Sequence, residues 1–215
     1  MSRKILWVVP ASIWLLFTVW YTDLGGPLTE DEVTAGVKLL ASNGYNPEKL
    51  VRVEKFLRED TGRQFLMVNN IDRREDPLPM PGFGPDATAE DYRNYYMEHM
   101  YAQLFKRGCH PIFVGTGLNY VADLAGVDGV AATNWDSAAL FRYRSRRSFL
   151  EIISHPAMTE RHGYKIAAMT KTIAYPVEPD IYVSDLRIIL FLLLALGTSM
   201  ADILIFGCRR KNTVE

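Results

Sequence analysis

The sequence predicts an α+β domain between two membrane-spanning helices, one near each end of the chain. Two strongly apolar stretches, residues 5–21 and 188–208, each have about the length that a transmembrane helix needs. Between them, helix-like and strand-like patterns alternate in a segment of ordinary soluble composition. The chain has 24 basic and 25 acidic side chains, so its charge gives no reason to expect binding to nucleic acid.

The first apolar stretch is uncharged and follows a short basic segment, Arg3 and Lys4. This pattern fits both a retained anchor and a cleaved signal peptide. The sequence after Trp20, YTDLGGP, contains no small-x-small cleavage site, which favours an anchor. We therefore assign residues 1–24 to an N-terminal transmembrane anchor.

The second apolar stretch belongs to a predicted transmembrane helix over residues 181–208. A basic tail, residues 209–215, follows it directly and begins Arg-Arg-Lys. Basic flanks stay on the cytoplasmic side of a membrane, and here both outer flanks are basic. We therefore expect an inner, cytoplasmic-type membrane with both termini in the cytoplasm and the central domain in the periplasm or its equivalent.

The second helix has features that a simple anchor does not need. Gly197 and Ala201 are small residues four positions apart, a spacing that lets another helix approach closely. Asp202 is ionisable and lies about two turns inside the basic boundary, where a charge is costly. Its carboxylate either reaches toward Arg209 and the boundary or contacts a neighbouring subunit. In the second case, the three residues bind a partner helix.

Residues 25–62 predict a pair of short helices. The first begins with a capping box, Thr29 to Glu32, and ends at Asn43-Gly44. The second begins at Pro47, behind Asn46 as its N-cap.

Residues 63–180 predict the α+β domain itself. Strands and helices are expected, in order, at 65–71 (strand), 88–107 (helix), 111–117 (strand), within 129–143 (strand), 145–154 with an interruption at Pro156 and continuation to His162 (helix), and 166–176 (strand). This βαββαβ order is that of a ferredoxin-like split βαβ unit. It predicts that the first and last strands are neighbours and that the helices cover one face of the sheet.

The run FRYRSRRSFLEIISHPAMTERHGYKIAAMTKTIAYPVEP, residues 141–179, resembles the C-terminal half of the DUF1330 family in the dimeric α/β-barrel superfamily. Residues 65–72 and the Tyr-rich helix fit the N-terminal half, so the resemblance covers about residues 64–179. It implies a barrel-type dimer, formed with a second copy of the chain or with a relative. It implies almost nothing about chemistry, because a fold does not determine a function.

Haem-degrading monooxygenases belong to the same superfamily, and they use an Asn, a Trp and a His. The resemblance places the His at His162 and the Asn at Asn69 or Asn70, as an alternative in which the protein binds haem. The Trp position falls on Ile152, so the oxygenase pattern is broken. The sequence contains no P-loop, nucleophile elbow, HExxH or CxxC motif, and the leading hypothesis has no cofactor and no metal.

The predicted helix 88–107 is unusually aromatic. Tyr96, Met97 and Met100 have the spacing of a core stripe, whereas Tyr92 and Tyr95 belong to a more polar one. Core packing with a subunit contact is one interpretation, and the lining of a small-molecule pocket is the other.

Four arginines cluster where the third strand becomes a helix, among them Arg142 and Arg144. Arginines near a helix N-terminus are suited to an anion or to the carboxylates of a partner protein. Pairing with neighbours such as Glu151 and Glu160 explains them equally well.

Together these features favour a non-catalytic accessory subunit of a larger membrane complex, photosynthetic or respiratory, whose partners are other integral membrane subunits and the lipid bilayer. The alternatives are a membrane-tethered haem-binding or oxygenase-like protein and a sensor of a small ligand.

Overall fold

The computed structural model describes residues 2–118, 120–121 and 123–207. The chain forms two compact units, Gly25–Pro179 and the combination of Met1–Leu24 with Asp180–Glu215. Cys208 and the predicted basic tail, residues 209–215, lie outside the described residues.

The strands are β1 (Phe65–Arg73), β2 (His110–Thr116), β3 (Ser137–Tyr143) and β4 (Met169–Val177). The helices are α1 (Arg3–Tyr21), α2 (Glu30–Ser42), α3 (Pro47–Arg58), α4 (Ala89–Lys106), α5 (Gly129–Ala132), α6 (Arg146–Ile153), α7 (Pro156–Ala167) and α8 (Leu186–Asp202), which continues as a π-helical turn, Ile203–Gly207.

The four strands form one antiparallel sheet in the order β2-β3-β1-β4. This is the strand order of a ferredoxin-like domain. The prediction that the first and last strands are neighbours is confirmed, because β1 pairs with β4 from Leu66↔Val177 onward. The coarse α+β prediction is therefore right.

One face of the sheet packs against helices. Side chains alternate between the two faces of a strand, and the odd-numbered residues of β1 and β3 point toward the helices. Phe65 and Tyr143 lie opposite each other in the register and stack with 5.1 Å between ring centroids. They form a core with the fully buried Leu104 and Ile152.

The pair α2–α3 has its own small core. The predicted capping box is present, since Thr29 and Glu32 bond reciprocally at the start of α2. Val33, Leu40 and Leu57 pack against Leu150 and Ile153, which belong to α6. The pair is therefore an integral part of the unit Gly25–Pro179.

The C-terminal half of the domain differs from the prediction at one boundary. α7 runs on to Ala167 instead of ending near His162, so Ile166 lies in a helix and the last strand begins at Met169. Pro156 starts α7 at its first position, where the missing N–H is not needed. Gly163 then costs only about 1 kcal/mol relative to alanine, too little to end the helix.

In the other unit, α1 and α8 are antiparallel. Arg3 at the start of α1 forms a bidentate ion pair with Asp202 at the end of α8, with Nε–Oδ1 2.8 Å and Nη2–Oδ2 2.6 Å. Trp14 Nε1 donates to the carbonyl oxygen of Arg187 at 2.9 Å. Arg187 in turn donates from Nη1 to Thr22 Oγ1 at 2.9 Å, just after α1.

The outward surfaces of this helix pair are apolar. Both helices are long and apolar enough to cross a membrane, and only 6% and 11% of their most apolar windows are buried. The most exposed large side chains include Leu16 at 71% and Leu204 at 73%. Such surfaces are unlike those of a helix in the core of a soluble protein.

Candidate ligand-binding site

A cavity of about 730 Å³ lies between the helix-facing side of the sheet and helices α3, α4, α6 and α7. Asn69 and Ile71 on β1 and Ala139 on β3 form part of its floor, because odd-numbered residues share this face. Tyr96 and Met100 on α4 form part of the opposite wall. Every lining residue belongs to the unit Gly25–Pro179.

Residue size explains why the sheet and the helices are filled at one end and open at the other. Near the start of β1 the space is occupied by Phe65, Phe149 and Tyr143, whose rings contact one another edge-on or stacked. Farther along the sheet the lining residues include Ala139 and Ala174, whose methyl groups cannot span the same gap. Protein interiors are normally close-packed, so a gap of this size points to a ligand.

Lys165 contributes a half-buried amine to this apolar setting. It lies on α7 one helical face-repeat from His162 and two from Met158, and all three line the cavity. Its ammonium nitrogen is 5.8 Å from the centroid of the Tyr96 ring. Burial, together with the positive charge of Lys49, lowers the pKa of Lys165 to about 8.

His162 is held neutral by the same surroundings. Burial first, and then the positive charges of Lys49 and Lys165, lower the pKa of its imidazole to about 4. Its ring lies 6.3 Å from that of Tyr96, whose own phenol pKa is raised by burial. The cavity therefore presents a neutral imidazole and two amines to a bound molecule.

Of the residues named in the haem alternative, His162 and Asn69 line the same cavity, and Asn70 is not among the lining residues. The Asn69 amide donates to the carbonyl oxygen of Met67 at 3.1 Å. Ile152, at the Trp position of the oxygenase pattern, is fully buried in the core and is not among the lining residues. A neutral imidazole facing a large cavity fits a haem ligand, whereas the oxygenase set is incomplete.

The aromatic residues of α4 divide between two roles. Tyr96 and Met100 are buried in the core with Met97 packed against them, as the core-stripe interpretation predicted, and all three also line the cavity. Tyr92 and Tyr95 instead pack against Phe83, which lies in the loop between β1 and α4. Their ring centroids are 4.9 and 5.6 Å from that of Phe83. That second cluster holds the proline-rich loop against the domain.

The arginines at the junction of β3 and α6 are used inside the domain. Arg142 is 0% exposed and donates to Gln64 Oε1 at 2.8 Å and to the carbonyl oxygen of Gly108 at 2.7 Å. Arg144 Nε donates to Ser148 Oγ at 3.3 Å. The structure thus shows internal hydrogen bonds for both arginines, and their role in partner binding stays a prediction.

The next two arginines join α6 to the helical pair. Arg147 pairs with Glu32 of α2 at 2.8 Å, and Arg146 donates to the carbonyl oxygen of Phe56 in α3. Arg146 also pairs with Glu178, just after β4, at 3.0 Å. Glu151 does form an ion pair, but with Arg107. Internal pairing is thus the observed role of Arg146 and Arg147, with different carboxylates from those that the sequence suggested.

The residues predicted to bind a partner helix lie on two sides of α8. Asp202 is 8% exposed and pairs with Arg3. The sequence had suggested Arg209 or a neighbouring subunit as its partner, and not Arg3. Gly197 faces away, and a methyl group built on it would meet no described atom within 4 Å. Ala201 is intermediate in exposure.

Sequence reasoning missed Lys165 and Lys49, which both line the cavity. A lysine in a helix is normally assigned to a solvated face. The available signal was the spacing of Met158, His162 and Lys165, which places a lysine on the same stripe as a buried methionine.

No protein-family model and no curated protein matches this chain. Among solved structures, it is similar to the RPA0582 protein of unknown function from Rhodopseudomonas palustris, with 16% identity, a TM-score of 0.50, and coverage of 64% of this chain and 96% of that chain. The methylated RPA0582 protein matches at 16% identity with a TM-score of 0.51, covering 65% and 95%. At this identity, the likeness shows a shared fold alone.

A dimeric protein of unknown function and ferredoxin-like fold from Bacteroides fragilis matches at 12% identity over 54% of this chain and 96% of that chain. Its TM-score of 0.31 is too low to support an argument.

Proposed function

We propose that this chain is a membrane-anchored ligand-binding protein, in which α1 and α8 span the bilayer and the unit Gly25–Pro179 binds a small molecule. The observation that carries the proposal is the cavity of about 730 Å³. Its volume lies within the range of ligand pockets, and its lining combines apolar walls with a few polar groups, as such pockets do. Of the hypotheses drawn from the sequence, this develops the small-ligand sensor.

Filling the cavity tests the proposal. Ala139 faces the cavity, whereas its neighbour Ala138 lies on the opposite face of β3 and pairs with Asn70. We expect Ala139→Leu to weaken binding of a hydrophobic fluorescent probe to the full chain in nanodiscs, and the matched Ala138→Leu to leave it unchanged. Equal binding by both variants and the parent chain would count against a ligand site here.

The anchoring part of the proposal is supported by the antiparallel arrangement of α1 and α8, which brings their outer ends together. With the basic outer flanks, it fits termini in the cytoplasm and a periplasmic domain. In a chain whose Cys109 and Cys208 are replaced by serine, a cysteine introduced at Leu118, which is 91% exposed, should react with an impermeant maleimide on sealed cells. Labelling only after the cells are lysed would reverse the proposed orientation.

A role as an accessory subunit of a larger membrane complex remains a second candidate. The specific observation in its favour is the uncovered surface around Gly197, beside which a neighbouring helix backbone can approach closely. The two functions are compatible, because a subunit of a membrane complex can also bind a ligand.

The DUF1330-like relationship adds a barrel-type dimer to the proposal. The sheet face opposite the cavity carries Phe113, Ile173 and Tyr175, which are 52%, 48% and 46% exposed. A second copy of the same face would cover them with an apolar surface. Light scattering of the chain in mild detergent should give the mass of a dimer. The Ile173→Lys variant should give the mass of a monomer.

The haem alternative is supported by His162 and Asn69 in one cavity. Titration of the purified chain with haemin should produce a shifted Soret band that His162→Asn abolishes. Absence of any shift would remove this alternative without affecting other ligands.

A further inference from the structure

The cations that line the cavity greatly outnumber its acids. The cations are Lys49, Arg52, Arg73, Arg93 and Lys165, and the lining acid among the described residues is Glu90. Glu90 is already paired with Arg93, and Arg73 lies 3.6 Å from its other oxygen. Its carboxylate is therefore committed to arginines and does not neutralise the lysines.

Lys165 forms no ion pair with a carboxylate in the part of the chain that the structure describes. Among the described residues, no acceptor hydrogen-bonds to its ammonium, and the aromatic face of Tyr96 is its polar contact. A charged group in apolar surroundings is costly unless an opposite charge accompanies it. The ammonium group of Lys165, in the last turn of α7, therefore lacks a counter-ion among the described residues, and one anion in the cavity would supply it.

A second ammonium increases the need for a counter-ion. Lys49 lies over the ring of Tyr45, 4.3 Å from its centroid, and its charge acts on both Lys165 and His162. Burial is the first cause of the lowered pKa of each of these groups, and like-charge repulsion is the next. A bound anion would remove the repulsion and return the amines toward their charged forms.

The rest of the lining determines what the anion is attached to. Met67, Met97, Met100 and Phe141 present thioether and aromatic surface, which adapts to an irregular apolar body. His162 is neutral and adds no second charge, so one anionic group is enough.

We infer that the cavity binds an amphipathic carboxylate, whose carboxyl group pairs with Lys165 and Lys49 while its apolar body lies along the methionine and aromatic wall. This inference rests on the proposed ligand-binding function and specifies the chemical class of the ligand. The same charges would accept the head of a fatty acid or of an arylalkanoic acid, which differ only in the apolar body.

The test measures the affinities of a carboxylate, 6-phenylhexanoate, and of the matched alcohol, 6-phenylhexanol. Each is titrated calorimetrically into the full chain in nanodiscs, and the heat measured with empty nanodiscs is subtracted. A charge-assisted pair is strong enough for a preference of about tenfold or more for the carboxylate. Lys165→Met should reduce the preference, and the double variant Lys49→Met with Lys165→Met should abolish it, with alcohol binding retained in both. Lys165→Arg should preserve the preference. Lys106→Met, at an exposed lysine outside the cavity lining, is the matched control and should behave as the parent chain.

The pH dependence gives a reading that needs no variant. The groups facing Lys165 are Lys49 on α3, Tyr96 on α4 and His162 on its own helix. His162 is neutral throughout the alkaline range, and burial keeps the Tyr96 phenol protonated there. Affinity for the carboxylate should therefore fall as the pH rises through about 8, the pKa of Lys165, while affinity for the alcohol stays constant.

The outcomes separate the two levels of the proposal. Equal affinities for the two probes, or a carboxylate preference that is undiminished in Lys165→Met or survives in the double variant, overturns the inference and leaves a ligand site of another class. Failure of the parent chain to bind either probe, with Ala139→Leu indistinguishable from it, overturns the ligand-binding function as well.

Discussion

Acidification should destabilise the folded domain through His162. The pKa of this imidazole is about 4 in the folded state, against about 6.5 in an unfolded chain. Between these two values the unfolded chain binds a proton that the folded domain excludes. Stability is therefore fully present above about pH 6.5 and is lost as the pH falls toward 4.

The size of the loss follows from the separation of the two pKa values. Each pH unit over which only the unfolded chain is protonated removes about 1.4 kcal/mol, so lowering the pH from about 7 to about 4.5 removes about 2 to 3 kcal/mol. For a domain whose free energy of unfolding is on the order of 5–15 kcal/mol, this is a large fraction. The lowered pKa of His99, caused first by burial, adds to the acid sensitivity in the same direction.

Replacing His162 with asparagine isolates its contribution, because asparagine is polar but does not titrate. Urea unfolding of the full chain, followed by near-ultraviolet circular dichroism at the two pH values, should show a drop in stability that is smaller in His162→Asn by about 2 kcal/mol. The ring proton resonance of His162 should also titrate near pH 4 and be absent from the variant. An unchanged pH dependence in the variant, or a ring that titrates near 6.5, would refute the reasoning.

Three further outcomes follow from other parts of the structure. Arg3→Asp and Asp202→Arg should each lower the yield of chain recovered from membranes, because each leaves two like charges together, and the double exchange should restore it; a double variant as poor as the singles would argue against the pair. Gly197→Leu should leave the chain in the membrane yet reduce the fraction that co-purifies with other subunits, whereas Ala11→Leu on the outer face of α1 should not, and equal co-purification of both would favour a simple anchor. Ile152→Ala, at a fully buried position, should cost about 2 to 5 kcal/mol of unfolding free energy in urea, whereas Ile166→Ala at a 48% exposed position should cost far less, and similar losses would contradict the described core.

Local patterns were sufficient to predict the architecture. The capping box at Thr29, the proline at position 47 and the strand-like run at the start of β1 depend on neighbours within a few residues, and those neighbours are visible in the sequence. The end of α7 was harder to predict, because a β-branched residue such as Ile166 is compatible with a helix end and with a strand start.

The site could be predicted only in part, for a different reason. His162 and Asn69 were proposed from a family resemblance, and the structure places both in one cavity. The cavity itself depends on the absence of bulk at Ala139 and Ala174, which are distant in sequence and carry no chemical signature. Likewise, the pairing of Asp202 with Arg3 could not be foreseen, since the two residues are separated by 199 positions.

The ion pair of Arg3 and Asp202 also has a consequence for biosynthesis. The two residues are 199 positions apart, so a ribosome that adds about 5–20 residues per second makes the arginine about 10–40 seconds before the aspartate. In the anchored chain that we propose, α1 is already in the bilayer when α8 is still being made. When α8 inserts, the Asp202 carboxylate can pair at once with the Arg3 guanidinium, which is already in place. The pair then lowers the cost of inserting α8 with its aspartate.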